Sequence, residues 1–327
     1  MLDWKHKKSA CVYAKRIAWG IFLLLILLAG ALAVRKAYSL YLNLCRKMDY
    51  VCDMAYTVDK NVKSIRQNVN NIYSKYEFDY AWAENQHLIA HAFGEIDGQT
   101  YTNTYDAFLH NYSQGHRVFE VDFDVTVPEN TLVASHDAEV WREKTGNDAT
   151  TPFTYENFIN SRVSGQYMPM DYRDVIEMMI EYPDIYIVTD TKYQDQMTIF
   201  LQFSQLVKYA QERDENVLKR IIPQIYHEEM LGQIMSVYPF ESVIFTLYAT
   251  AWTPESVVDF CERTGVGFIT MPIYAANESF LALLESRGIL TAAHTGNDRE
   301  EAERLFSTGL DMMYTDHLKP DEFSEMN

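Results

Sequence analysis

The chain has 327 residues, enough for one large domain with extensions or for two ordinary domains, and its 48% hydrophobic content is ordinary for a globular protein with a substantial core. Residues 1–47 hold nine Lys or Arg against the single acid Asp3, a balance of +8, so the remainder carries −26 of the net −18. A body that acidic repels nucleic acid and anionic membrane surfaces, and no nucleic-acid partner is expected; if it handles phosphate, positive charge must be concentrated locally, with a divalent cation the obvious source.

Residues 1–16 form a basic tail with Lys5, Lys7, Lys8, Lys15 and Arg16. Residues 17–34 are an uninterrupted uncharged run of 18, which as a helix just spans the hydrocarbon core of a bilayer. The denser positive cluster precedes the run, which predicts an inside amino terminus, a single pass and an extracytoplasmic body. A cleaved signal peptide is the rival reading, since Ala31-Leu32-Ala33 is a small-x-small site, and it exports the body equally.

Residues 35–84 read as a helical juxtamembrane stalk, with no Pro or Gly anywhere from 34 to 93. Apolar positions at Val51, Met54, Val58, Val62, Ile65, Val69, Ile72 and Tyr76 alternate spacings of three and four, with one extra four-residue step. A homodimer would use that seam; a single amphipathic helix lying on the body explains it as well. Four cysteines, Cys11, Cys45, Cys52 and Cys261, match no disulfide framework or zinc spacing. Cys45 and Cys52 stand about 10 Å apart along a helix, too far to bridge each other.

From residue 85 to 327 short apolar strands alternate with amphipathic helices. Strands are expected at 87–93, 118–126, 185–190, 220–226, 242–248, 267–273, 289–294 and 312–316, and helices at 195–212, 228–237, 254–263, 277–287 and 298–307. Eight such units predict a (β/α)8 TIM barrel. An open doubly wound sheet is the competitor, weakened by the lack of a Gly-rich loop after the first strand. An extra strand at 131–135 would form a β-hairpin insertion with 118–126, followed by a long irregular stretch, 138–170.

In a barrel of this type the carboxyl ends of the strands face the active site. Those ends carry His91, then Glu120 and Asp122 on one face of the second strand, then His136-Asp137, then Asp190 with Lys192 two residues on. Three converging carboxylates repel one another unless a cation sits between them, and oxygen-only ligands suit Mg²⁺ or Ca²⁺. Two histidines beside such a site supply a proton acceptor and a proton donor for phosphodiester cleavage. Taken singly, each of these residues reads more simply as a strand-end or surface group; the ordered set carries the inference. Tyr226, Tyr248 and Tyr274, at three further strand ends, either line a substrate pocket or cap the barrel core.

The order and spacing of His91-Ala92-Phe93-Gly94, Asn103-Thr104-Tyr105-Asp106-Ala107-Phe108, Gly115, Glu120-Val121-Asp122 and Val133-Ala134-Ser135-His136-Asp137 resembles the glycerophosphodiester phosphodiesterase signature, within the phosphatidylinositol phospholipase C-like phosphodiesterases. Met168-Pro169-Met170, Asp190-Thr191-Lys192, Gly309-Leu310-Asp311 and Tyr314-Thr315-Asp316 continue it, so that it covers residues 87 to about 318. The resemblance implies His91 and His136 as the acid-base pair, Glu120, Asp122 and Asp190 as metal ligands, and Lys192 on the phosphate of a small-molecule or lipid-derived phosphodiester. It implies attack on phosphorus by an internal hydroxyl of the substrate, with a cyclic intermediate that water opens. Four positions depart from the pattern. Ala92 replaces an Arg, Thr102 replaces the Glu of Glu-Asn-Thr, His294 stands where a Trp is common, and Asp190 replaces a Glu, as in the sphingomyelinase D-like branch. A lyase that releases a cyclic phosphate, or a stalked binding module without turnover, are the alternative readings.

Overall fold

A computed structural model describes residues 75–191, 195–249 and 252–324. The basic tail, the apolar run at 17–34, the stalk as far as residue 74, three of the cysteines and Lys192 lie outside the described residues. By its internal contacts the chain divides into 1–70 and 71–327, and every described residue belongs to the second unit.

Nine strands alternate with helices: β1 Leu88–Ala90, β2 Val118–Val125, β3 Leu132–Ala134, β4 Tyr186–Thr191, β5 Ile221–Ile225, β6 Ile244–Thr246, β7 Phe268–Pro272, β8 Leu290–His294 and β9 Met312–Thr315. All but β3 are parallel neighbours in the order β1-β2-β4-β5-β6-β7-β8-β9, and β9 pairs back to β1, so the sheet closes into an eight-stranded (β/α)8 barrel. The expected hairpin is present, with β3 antiparallel to β2 through Phe123↔Ala134 and Val125↔Leu132.

The period-two alternation of strands explains both the closure and the location of the chemistry. Ile89, Val118, Val188, Ile222, Ile244, Phe268, Ala292 and Met312, one from each barrel strand, form a buried apolar layer inside the ring. Two residues further along each strand the same inward face carries His91, Glu120, Asp190, Gln224, Thr246, Thr270, His294 and Tyr314. The interior therefore changes from apolar to polar in a single step on all eight strands. Tyr314 OH donates to Gln224 Oε1 across that layer at 3.0 Å.

The outward-facing residues, such as Phe119, Val121, Phe123 and Ile187, pack under the surrounding helices. These are α1 Tyr105–Ser113, α2 Ala138–Thr145, α3 Tyr155–Asn160, α4 Tyr172–Glu181, α5 Gln196–Arg213, α6 Glu228–Val237, α7 Pro254–Thr264, α8 Glu278–Glu285 and α9 Arg299–Ser307. Each starts on a side-chain cap, for instance Thr104 accepting from Ala107 N and Asp298 from Glu301 N, which sets where every strand-to-helix loop ends.

Two stretches differ from the sequence expectation. The stretch 138–170 is not irregular throughout, since α2 and α3 lie within it, started by Asp137 and Thr154, and Gly146 ends α2 in the left-handed conformation. Both are too short to show a helical period, and local capping defines them. At the end of the expected stalk, residues 75–80 carry no helix and 81–83 form a 3₁₀ turn. This piece lies under the barrel floor. Tyr76 N donates to the Thr264 carbonyl at 2.7 Å, and a side chain on Gly265 (φ +84°) would strike the Tyr76 carbonyl. Trp82 stacks on Phe268 at 5.5 Å between centroids and donates from Nε1 to Ser242 Oγ at 3.0 Å.

Trp82 thus plugs the apolar end of the barrel. Trp82→Ala is expected to lower stability by about 3–5 kcal/mol, read from urea unfolding midpoints. A second test uses pH. Burial, helped by the charge of Arg117 and opposed by the Leu318 carbonyl 3.0 Å from Nε2, holds the His116 imidazole down to about 4. The unfolded chain takes up this proton first as pH falls, so stability should drop between about 6.5 and about 4, by about 3 kcal/mol in all. The slope should be shallower in His116→Gln.

Candidate active site

Glu120 and Asp122 stand two apart on β2 and so share its inward face. Parallel pairing then sets Asp190 of β4 directly beside Asp122 in register. The three carboxylates are buried, and each offers an oxygen within 4.8 Å of the others, which could hold a metal ion. The donor set is all carboxylate oxygen, which fits a hard divalent cation.

Each acid also has a fixed partner. Glu120 Oε2 accepts from the Ala92 backbone N–H at 2.7 Å. Asp122 is gripped twice by Asn103, whose Nδ2 donates to Oδ2 and whose Oδ1 accepts from the Asp122 N–H, both at 3.0 Å. Tyr226, at the end of β5, donates its hydroxyl to Asp190 Oδ1. These bonds orient the oxygens before any ion arrives, as partners of metal ligands commonly do.

His91 follows β1 directly. Its Nδ1 lies 2.9 Å from Asp316 Oδ1, just past β9, and Asp316 is itself held by Asn297 Nδ2 at 2.8 Å. Burial disfavours a charged ring here, but the Asp316 bond and the charges of Glu120 and Asp122 outweigh it and push the imidazole up to about 9. Asp316 is correspondingly held below the usual carboxylate range, burial being overcome by His91 and Asn297. His136 sits beyond β3, where Ser135 N donates to the Asp122 carbonyl at 3.0 Å. Its Nδ1 is 2.7 Å from Asp137 Oδ2, while Asp137 Oδ1 caps α2. Both imidazoles are thus held through Nδ1 by a carboxylate, which leaves Nε2 as the working nitrogen of each.

The turn after β1 is built without a side chain at Ala92 reaching the site. Ala92, Phe93 and Gly94 have φ of 47°, 66° and 82°. Asn111 Nδ2 clamps this turn through the Phe93 and Glu95 carbonyls, both at 2.9 Å, and a Cβ on Gly94 would meet that amide at 2.6 Å.

Five of the six residues singled out from sequence, His91, Glu120, Asp122, His136 and Asp190, therefore meet at the carboxyl ends of β1 to β4; Lys192 lies outside the described residues. Of the three tyrosines, Tyr226 alone bonds one of these acids. Tyr248 is exposed and packs against His294, and Tyr274 lines a groove of about 510 Å³ with Trp252 and Phe280 at the ends of β6 and β7. Asn103 and Asp316 were legible only as motif letters; their partners are 19 and 225 residues away. If Asn103 orients Asp122 for metal, Asn103→Ala should weaken Mg²⁺ or Ca²⁺ binding by roughly 10- to 100-fold in calorimetry.

A comparison with curated proteins gives no match. Solved structures share the fold at low identity. A phosphodiesterase from Oleispira antarctica, solved with the product sn-glycerol-3-phosphate, is 16% identical with a TM-score of 0.60, over 73% of this chain and 96% of that one. The glycerophosphodiester phosphodiesterase from Thermotoga maritima is 16% identical with a TM-score of 0.55, over 74% of this chain and 98% of its own. That from Parabacteroides distasonis is 16% identical with a TM-score of 0.58, over 74% and 96%. Residues 96–319 match the sequence model of the glycerophosphoryl diester phosphodiesterase family, so the chain belongs to that family of phosphoric diester hydrolases.

Proposed function

We propose that this chain is a metal-dependent phosphodiesterase that cleaves an extracytoplasmic glycerophosphodiester, or a related phospholipid or wall-polymer phosphodiester, with His91 and His136 as its acid-base pair. The observation that carries the proposal is the convergence of three buried acids with two carboxylate-held imidazoles at one barrel rim. The glycerol phosphate product bound by the Oleispira antarctica structure supports a glycerophosphodiester as the substrate class. The apolar run at 17–34 and its basic flanks support a single-pass anchor with the barrel outside the cytoplasm.

Glu120, Asp122 and Asp190 would hold the divalent cation, Mg²⁺ or Ca²⁺, which when bound would draw negative charge from the phosphate oxygens. His91, whose bond to Asp316 favours the charged ring, is placed to give a proton to the leaving oxygen. His136, held through Nδ1 by Asp137, has Nε2 placed to take a proton from the attacking hydroxyl. Lys192 would contact the phosphate.

Glycerophosphocholine and bis(p-nitrophenyl) phosphate should be cleaved with Mg²⁺ or Ca²⁺ and not after EDTA treatment. His91→Ala and His136→Ala should each reduce kcat by roughly 10²- to 10⁴-fold; full activity in the double variant would defeat the assignment. Asp190 in place of Glu favours, as a second reading, a lyase that stops at the cyclic phosphate. Phosphorus NMR of the products decides between them: an accumulating cyclic phosphate marks the lyase, a linear monoester the hydrolase.

A further inference from the structure

We infer that Tyr101 is a positioning residue that braces both imidazoles of the site at once, an inference that rests on the acid-base reading above. Its ring meets His91 edge-on at 4.6 Å between centroids, with an interplanar angle of 83°, and His136 at 5.6 Å and 79°. One side chain therefore packs against both histidines.

The physical need for such a brace follows from how each imidazole is held. Both are fixed through Nδ1 to a carboxylate, and a ring held at one edge can still swing about that bond. His91 and Asp316 are mostly buried, at 13% and 9% side-chain exposure, so their pair is comparatively stiff. His136 and Asp137 are 32% and 44% exposed, and a solvated pair of that kind contributes little to order. Packing against Tyr101 supplies the second support, and His136 needs it more.

The backbone places Tyr101 deliberately. It has φ +55°, two residues before Asn103 at φ +49°, a region that non-glycine residues enter only where the surroundings hold them there. The loop that carries it is tied down on both sides. Tyr167 OH donates to Asp97 Oδ2 at 2.7 Å and Ser164 Oγ to Gln99 Oε1 at 3.2 Å, while Asn103 grips Asp122. The ring is also 36% exposed, so it stands at the mouth of the site instead of filling the core.

The test compares Tyr101→Phe, Tyr101→Leu and Tyr101→Ala in the full-length enzyme on glycerophosphocholine, with thermal melts alongside. Loss of the brace should lower kcat by roughly 10- to 100-fold in the Ala and Leu variants, with KM little changed. The Phe variant should retain activity near the wild type, because the ring and not the hydroxyl does the bracing. A Tyr101→Ala change made on a His136→Ala background should cost much less than on the wild type, since the main group it positions is gone. The inference is overturned if the Ala and Leu variants stay fully active, if Phe is as poor as Ala, if the loss falls in KM, or if it is undiminished on the His136→Ala background. Should His91→Ala and His136→Ala themselves prove fully active, the acid-base reading fails; should they be inactive while Tyr101→Ala is unimpaired, the bracing role alone fails.

Discussion

Mutual repulsion among Glu120, Asp122 and Asp190 is the constraint around which the upper half of the barrel is organised. Two carboxylates with oxygens within 4.8 Å repel by about 3–4 kcal/mol at an effective dielectric of about 20. Three such pairs approach the entire net stability of an ordinary domain. Backbone and side-chain donors from Ala92, Asn103 and Tyr226 offset part of this, at about 1.5–3 kcal/mol for each bond to a charged group. The rest calls for positive charge in a body that carries −26 outside its first 47 residues. A divalent cation, which the three acids could hold, has the chemistry to answer that demand.

The lower half of the barrel allows this concentration of charge. Its apolar layer of Ile89, Val118, Val188, Ile222, Ile244, Phe268, Ala292 and Met312 is floored by Trp82. Because each strand changes character in one step, the acids lie one residue pair above a fully apolar plug. The low dielectric beneath strengthens the interactions above it.

Much of this was legible in the sequence because strand periodicity is local. Val118 and Glu120, or Val188 and Asp190, show the inward face of a strand and its polar end without knowledge of its neighbours. The hairpin, the eightfold alternation and the five clustered site residues all follow from that kind of signal. What was not legible depends on register between distant segments. Nothing local says that Asp190 lies beside Asp122, that Asp316 reaches His91 across 225 residues, or that Tyr226 ends at Asp190. The short helices α2 and α3 were missed for the opposite reason, since six to eight residues are decided by a single cap and not by a repeating pattern.

The remaining feature of the mouth is where its backbone strain falls. Eight described residues other than glycine have positive φ, and Ala92, Phe93, Asp97, Tyr101 and Asn103 belong to the one connection between β1 and α1. That connection also supplies His91, the N–H that meets Glu120, the ring that packs on both imidazoles and the amide that fixes Asp122. Such conformations cost about 1–3 kcal/mol each and persist only where the surroundings over-determine them. Here Asn111 clamps the turn at one end and Asn103 anchors it to β2 at the other. The side chain at Ala92 has no part in this, because the residue addresses the site through its backbone. The loop geometry that organises the acids and imidazoles needs only a main chain able to enter the left-handed region. The absence of the arginine and the integrity of the site are therefore compatible within one fold.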